Sequence, residues 1–140
     1  MLDSGGGPAR TGYSTDDNPH KGNRGFVRAW HAAKNSWSGL LFAVREESAF
    51  RQELTLAACL IPLALILPFR AVERLLLIGS VMLVLIVELV NSGVEAAIDR
   101  ISFEHHGLSK RAKDYGSAAV MLALLFCGLV WITLTWRLLM

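Results

Sequence analysis

Three stretches of the chain are almost entirely apolar: residues 54–69, 75–98 and 115–136, the last with no Asp, Glu, Lys or Arg. A helix needs about 20 mainly apolar residues to cross the hydrocarbon core of a bilayer. The second and third stretches are long enough. The first reaches a full span only if its helix continues past Arg70, whose long side chain can extend to the interface. The pattern predicts transmembrane helices at about residues 53–72, 74–98 and 115–137.

The segment before the first apolar stretch has a different pattern, with apolar residues recurring every three or four positions. These residues are Phe26, Trp30, Ala33, Trp37, Leu40, Leu41 and Val44. They form one stripe of a helix, and polar residues such as His31 and Glu46 occupy the other side. The segment is therefore predicted to be an amphipathic surface helix at about residues 26–50, lying in the membrane interface with its tryptophans at headgroup depth.

The first 24 residues are rich in Gly, Asp, Ser, Asn and Pro, and they contain no apolar run. They are not a secretory signal peptide, and we expect a disordered tail at residues 1–24 followed by one membrane domain at residues 25–140. The predicted fold class is an all-α membrane protein. Its apolar content of 53% is high for a soluble chain of this size.

The distribution of positive charge predicts the orientation in the membrane. With three spans, the tail and the loop after residue 98 lie on one side, and most of the 14 Lys and Arg residues fall there. Only Arg70, Arg74 and Arg137 fall on the other side. The positive-inside rule then places the N-terminus and the middle loop in the cytoplasm.

Other composition signals exclude several classes of function. A net charge of +2 gives no reason to expect nucleic acid as a partner. Cys59 and Cys127 both lie inside apolar stretches, where cysteine behaves as a small apolar residue, so neither a disulfide framework nor a thiolate metal site is indicated.

The second apolar stretch carries four polar residues that would lie on one face of a helix: Glu88, Asn91, Glu95 and Asp99. A carboxylate inside an apolar span costs several kcal/mol unless it is paired, so such a residue is a functional hypothesis by default. A single Glu can be a structural hydrogen-bonding residue. A ladder of four such groups is better explained by a site.

Carboxylate and amide oxygens are ligands that suit Mg²⁺, which is usually held by one or two carboxylates together with substrate phosphates. A basic loop, Ser-Lys-Arg-Ala-Lys-Asp at residues 109–114, follows the ladder and can supply cations for phosphate, although topology alone would also favour basic residues there. His105 and His106 are adjacent and point differently, which argues against a shared metal. No P-loop and no protein-kinase motif is present in the sequence.

These residues make the sequence resemble the small bacterial integral-membrane diacylglycerol kinases. The resemblance is carried by Ala-Phe-Arg-Gln-Glu at 49–53, Glu-Leu-Val-Asn-Ser-Gly-Val-Glu-Ala-Ala-Ile-Asp-Arg at 88–100, Leu-Ser at 108–109 and Arg-Ala-Lys-Asp-Tyr-Gly-Ser-Ala-Ala-Val at 111–120. It covers about residues 25–140 and is highly specific.

The resemblance implies a homotrimer, with three transmembrane helices and one surface helix in each subunit and an active site at the cytoplasmic surface. It implies an ATP-dependent, Mg²⁺-assisted phosphorylation of 1,2-diacylglycerol to phosphatidic acid, with Glu88 as general base. Glu47 and Glu95 match the metal-binding carboxylates. The remaining positions that match nucleotide contacts are Arg28, Asn35, Asn91, Glu104, His105, His106, Lys113 and Asp114. Those on the lipid side, with Glu88, are Ala32, Trp37, Ala49, Phe50, Arg51, Gln52, Glu53 and Ser117.

Two departures and three alternatives remain. The family often has an aromatic residue where this chain has Asn35 and His105. Relatives that phosphorylate undecaprenol tend to have Thr after the ladder Asn and no Gly-Ser after Lys-Asp, whereas this chain has Ser92 and Gly-Ser at 116–117. An undecaprenol kinase is thus one alternative. The others are a small proton-coupled transporter that uses Glu88 as its proton carrier and a purely structural membrane scaffold.

Overall fold

In the computed structural model, the parts of the chain that can be described are residues 25–101 and 107–140, and their regular structure is entirely α-helical. The four helices are α1 (Phe26–Glu46), α2 (Ser48–Ile66), α3 (Ala71–Ile101) and α4 (Gly107–Leu139). The all-α fold class is therefore confirmed. The predicted tail at residues 1–24, and Glu104, His105 and His106, lie outside the described residues.

The chain divides into two compact units, residues 1–37 and 38–140. The described part of the first unit is Gly25 and the first turns of α1. Gly25 has a φ of +72°, a left-handed conformation that glycine adopts without strain. The apolar stripe of this part is exposed, with Phe26 at 95%, Trp30 at 71% and Trp37 at 65%. An exposed tryptophan-bearing stripe of this kind is typical of a helix lying in a membrane interface.

The junction between α1 and α2 differs from the prediction. The surface helix was expected to continue to about residue 50, but α1 ends at Glu46, and Glu47 is extended with φ −97° and ψ 113°. The guanidinium of Arg51 donates to the carbonyl oxygens of Val44 at 3.3 Å and Arg45 at 3.0 Å. Carbonyls in the last turn of a helix have no partner within the helix, so these bonds stabilise the end of α1.

Helix α2 begins and ends earlier in the chain than predicted. It was expected to continue past Arg70, but it ends at Ile66, and Leu67 is extended with φ −68° and ψ 149°. The residue before a proline is disfavoured in the helical region, and Pro68 follows Leu67. The helix begins at Ser48, before the predicted start at about residue 53. The earlier start makes up for the earlier end, and α2 has 19 residues. Pro62 lies within the helix without ending it.

Helix α3 packs against both α2 and α4. Contacts between side chains near the start of each helix and the end of the other show that α3 and α4 are antiparallel: Lys113 with Asp99, and Arg137 with Glu73. The 31 residues of α3 span about 46 Å, more than the roughly 30 Å hydrocarbon core of a bilayer. A tilted α3 that crosses the membrane therefore has at least one end at the interface.

Three helical segments, Ser48–Ile66, Ala71–Arg100 and Gly107–Leu139, are long and apolar enough to cross a membrane, with mean hydropathies of 1.5, 2.3 and 2.3. The buried core is small and follows α3, including Leu77, Val81 and Val84. Large apolar side chains such as Ile132 at 70% and Ile66 at 81% exposure point outward. In a soluble protein most large apolar side chains are buried. Their exposure here suits a protein surrounded by lipid or by other subunits.

Candidate functional site

The polar ladder of α3 lies on the packed side of that helix. Glu88 is buried, with 4% of its surface exposed, while Asn91 and Glu95 are half-buried and Asp99 is exposed. The face that residue spacing predicted is thus the face that α3 turns toward its neighbours. The exposure of these four side chains increases from Glu88 toward the end of the helix that carries Asp99.

Glu88 belongs to a cluster of four carboxylates. It lies within electrostatic range of Glu95 on its own helix and of Glu47 at the α1–α2 junction, and Glu53 on α2 lies within range of Glu88. We call Glu47, Glu53, Glu88 and Glu95 the carboxylate cluster. Within residues 25–101 and 107–140, no Lys or Arg forms an ion pair with any of the four. Carboxylates that share a partly buried region without a cationic partner are favourable places for a bound cation or an incoming hydrogen-bond donor.

Glu53 has one carboxylate oxygen, Oε2, that is buried and accepts no hydrogen bond from the described part of the chain. It helps to line a small, otherwise apolar cleft, of about 20 Å³, between α2, α3 and α4. The apolar lining includes Leu56, Ala57, Leu60, Val84, Leu124 and Cys127. A buried acceptor without a donor is costly, so Glu53 marks a place where an incoming donor would be favoured.

Asn91 connects the ladder to α4. Its Nδ2 donates to Glu95 Oε1 at 3.1 Å. Its Oδ1 is buried and has no hydrogen-bond donor among the described residues. This oxygen faces Gly116 of α4, because a side chain at Gly116 would collide with it. In the sequence, Gly116 stood out only as part of a family motif, because its contact with Asn91 joins residues far apart in the chain.

The cationic side of the site lies at the start of α4. Lys113 Nζ donates to Asp99 Oδ1 at 2.6 Å, and the exposed fractions of the two side chains are 39% and 62%. Lys113 also lies within electrostatic range of Glu95. Exposed ion pairs contribute little to stability, so Lys113 can exchange Asp99 for another anion. Arg111 donates to the hydroxyl of Tyr115 at 3.2 Å.

The structure assembles only part of the predicted residue set. Glu47, Glu53, Glu88, Asn91, Glu95 and Lys113 belong to one connected network of contacts and charges. Arg28, Ala32, Asn35 and Trp37 are exposed in the first unit. Ala49, Gln52, Asp114 and Ser117 are exposed in the second unit.

Two residues predicted to lie on the lipid side have structural roles. Phe50 is 2% exposed and belongs to the apolar core with Ala57 and Val84. Arg51 stabilises the end of α1, as described above. The pattern of apolar residues could have indicated the burial of Phe50, but the capping role of Arg51 depends on the turn at Glu47.

The donor chemistry of the carboxylate cluster fits a magnesium ion. In the described parts of the chain, no group of three or more His, Cys, Asp or Glu side chains is arranged to hold a metal. Mg²⁺ does not need such a cage, because it is usually bound by one or two carboxylates together with waters and substrate phosphates. Glu47 and Glu95 are both half-buried and both within range of Glu88, so two oxygen ligands of the right type are available.

Fold and site together define a multi-pass membrane protein with an acidic, partly buried site on its central helix. Residues 34–135 match the family model described as prokaryotic diacylglycerol kinase. The chain is 49% identical to the diacylglycerol kinase of Escherichia coli strain K12 over 112 residues, which is 80% of this chain and 92% of that protein. It is 47% identical to the diacylglycerol kinase of Pseudomonas aeruginosa over 116 residues, or 83% and 94% of the two chains. A third relative, the diacylglycerol kinase of Helicobacter pylori strain 26695, is 44% identical over 108 residues, covering 77% and 84%.

The chain belongs to the prokaryotic diacylglycerol kinase family. The predicted resemblance and the prediction of an enzyme, a phosphotransferase of lipid metabolism, are therefore confirmed.

Proposed function

We propose that the protein is an ATP-dependent lipid kinase that transfers the γ-phosphoryl group of ATP to the primary hydroxyl of 1,2-diacylglycerol, yielding phosphatidic acid and ADP. The observation that carries this proposal is Glu88, a carboxylate that is 4% exposed on an apolar helix and has no ion pair with any described residue. Relatives at 44–49% identity named diacylglycerol kinase support the choice of substrate.

Glu88 is the general base of this mechanism. It accepts the proton of the lipid hydroxyl while the hydroxyl oxygen forms a bond to the γ-phosphorus and the bond to the leaving ADP breaks. A positioned base contributes roughly 10²–10⁴-fold to such a step. Glu47 and Glu95 lie within electrostatic range of Glu88, so the proposed base and the proposed metal ligands belong to one site.

Glu53 and the apolar cleft form the lipid side of the site. The buried, partnerless Oε2 of Glu53 can accept a hydrogen bond from a hydroxyl or glycerol group of the lipid. The adjoining cleft is small and lined by Leu, Ala, Val and Cys side chains, so the surface beside Glu53 is apolar, as contact with a lipid requires. The family resemblance adds Ala32, Trp37 and Gln52 as proposed lipid contacts.

The nucleotide side consists of Glu47, Glu95 and the start of α4. Glu47 and Glu95 would hold Mg²⁺ when it is bound, and the ion would supply positive charge that neutralises the phosphates. Lys113 exchanges Asp99 for a phosphate oxygen, which places a positive charge where negative charge is transferred. Arg28, Asn35, Glu104, His105, His106 and Asp114 complete the predicted nucleotide contacts.

The proposal also includes location and assembly. The predominance of Lys and Arg on the side of the tail and middle loop supports an inner-membrane protein with its site facing the cytoplasm. Extensive exposed apolar surface on α2 and α4 supports lateral association, for which we propose a homotrimer. Native mass spectrometry of the protein released from detergent should give three times the 15.4 kDa chain mass, and a monomer or dimer would contradict this assembly.

The deciding experiment uses protein purified in detergent. Labelled ATP, Mg²⁺ and a short-chain diacylglycerol should give labelled phosphatidic acid, and omission of Mg²⁺ should abolish the product. Undecaprenol in a parallel reaction tests the alternative acceptor. Preferential labelling of undecaprenol would replace the proposed substrate. Absence of transfer to both lipids, together with proton flux in liposomes, would favour the transporter alternative.

A further inference from the structure

Gly116 of α4 lies where α4 meets the polar ladder of α3. A Cβ placed on Gly116 would collide with Asn91 Oδ1 and would lie 3.1 Å from Asn91 Cγ and 3.8 Å from Asn91 Cβ. The three nearest atoms thus all belong to one side chain. By contrast, a Cβ placed on Gly128, in the same helix, meets no atom within 4 Å.

The backbone of Gly116 does not itself require glycine. Among the described residues, only Gly25 is a glycine with a positive φ. Gly116 lies inside a regular helix, where alanine is normally the more favourable residue. The requirement at position 116 is therefore one of space, and Asn91 occupies that space.

Asn91 is held in one orientation by its two neighbours. Its Nδ2 must face Glu95, because a carboxylate can only accept a hydrogen bond and the amide nitrogen is the donor. Its Oδ1 consequently faces α4 at Gly116. A side chain at position 116 would displace the amide, and the Asn91–Glu95 hydrogen bond at 3.1 Å would be lost or distorted with it.

We propose that Gly116 is a positioning residue for the nucleotide side of the site: the space it leaves lets the Asn91 amide orient the Glu95 carboxylate. This inference rests on the proposed function in one respect, the assignment of Glu95 to Mg·ATP. The contact between Gly116 and Asn91 itself does not depend on that assignment. The two parts can therefore be tested separately.

The contact is tested by a double-mutant cycle of Gly116→Ala and Asn91→Ala, with unfolding in a denaturing detergent as the readout. Gly116→Ala alone should lower the unfolding midpoint. In the Asn91→Ala background, Gly116→Ala should not lower the unfolding midpoint. The only side-chain atom left at position 91 is its Cβ, and 3.8 Å is an ordinary contact distance. Gly128→Ala is the matched control and should leave the midpoint unchanged or raise it.

The link to Glu95 is tested by protection against unfolding at increasing Mg·ATP concentrations, which needs no turnover. Gly116→Ala should require roughly 10-fold more Mg·ATP for half-maximal protection, the typical effect of disturbing a group that orients a metal ligand. Asn91→Ala should raise the Mg·ATP concentration for half-maximal protection by a similar factor. The double variant should raise it no further. In kinase assays the KM for Mg·ATP should rise, the KM for diacylglycerol should stay unchanged, and Gly128→Ala should match the wild type.

The outcomes separate the inference from the function on which it rests. Equal destabilisation by Gly116→Ala in both backgrounds would overturn the contact. Coupled destabilisation with unchanged Mg·ATP protection would overturn the positioning role. A wild-type protein that Mg·ATP does not protect would overturn the assignment of Glu95, and the positioning role with it, while the unfolding cycle would still decide the contact.

Discussion

The two ends of the α3–α4 pair each bring a carboxylate of α3 to a cation of α4, but the surroundings of the two pairs differ. At one end, Glu73 accepts the backbone N–H of Arg70 at 3.0 Å and pairs with Arg137, and only 12% of its side chain is exposed. Arg74 donates to the carbonyls of Ala64 and Phe69 and fixes the nearby turn. Each of these charges has a partner, so this end serves as a structural clamp.

At the other end, the pair of Asp99 and Lys113 is exposed, and the carboxylate cluster beside it has no ion pair among the residues described. Unpaired buried acceptors are expensive, and a fold retains them where a ligand or a reaction supplies the missing partner. The two ends thus differ in whether their carboxylates have partners, and this difference is why we place the proposed site at the end with the carboxylate cluster. In the sequence, Glu73 lies just before the second apolar stretch and Glu88 lies inside it, but neither position reveals whether the carboxylate has a partner.

The largest effect is expected from Glu88→Gln, which keeps the shape of the side chain and removes the base. Turnover should fall by at least about 10²-fold, while Mg·ATP still protects the protein against unfolding, because the base acts on the lipid and not on the nucleotide. Steady-state kinetics and unfolding in the presence of Mg·ATP measure the two properties. Loss of nucleotide protection would move Glu88 into the metal site.

A smaller effect on turnover, and a larger one on nucleotide binding, is expected from Glu95→Gln. Replacing a charged oxygen ligand by an amide should raise the KM for Mg·ATP by about 10-fold and increase the Mg²⁺ concentration needed for half-maximal rate. Titrations of Mg²⁺ at fixed ATP give this value. An unchanged Mg²⁺ requirement would remove Glu95 from the metal site.

Glu73→Gln is the matched control for the comparison, since it makes the same change on the same helix at the clamped end. We expect a lower midpoint of unfolding in detergent, because the Arg137 ion pair and a charged acceptor for the Arg70 N–H are lost. Activity per folded molecule should stay within about twofold, because the residue lies far from the site. A loss of activity as large as that of Glu88→Gln would mean that the two ends are not functionally distinct.

The smallest effect is expected from deletion of residues 2–24. The family match begins at residue 34, and the deleted segment has no apolar run. Activity should stay within a few-fold of that of the full chain. An inactive truncated protein that still inserts into membranes would show that the tail has a function.

The sequence was sufficient for much of the site because the polar ladder lies within one helix. Offsets of three, four and four residues place Glu88, Asn91, Glu95 and Asp99 on one face whatever surrounds the helix. Helix ends were predicted less well. The end of α1 at Glu46 depends on a cap from Arg51, and the end of α2 at Ile66 depends on the restriction that Pro68 imposes on Leu67.

By itself, then, the sequence determined the helices, their apolar character, the family and the carboxylate ladder, because helical periodicity and hydrophobicity are properties of neighbouring residues. Only the tertiary structure showed that Glu73 has an ion-pair partner and that Glu88 has none among the described residues, joined Glu53 to the cleft, and placed Asn91 against Gly116. These facts depend on contacts between helices, where burial and the presence or absence of a partner decide what a polar side chain can do.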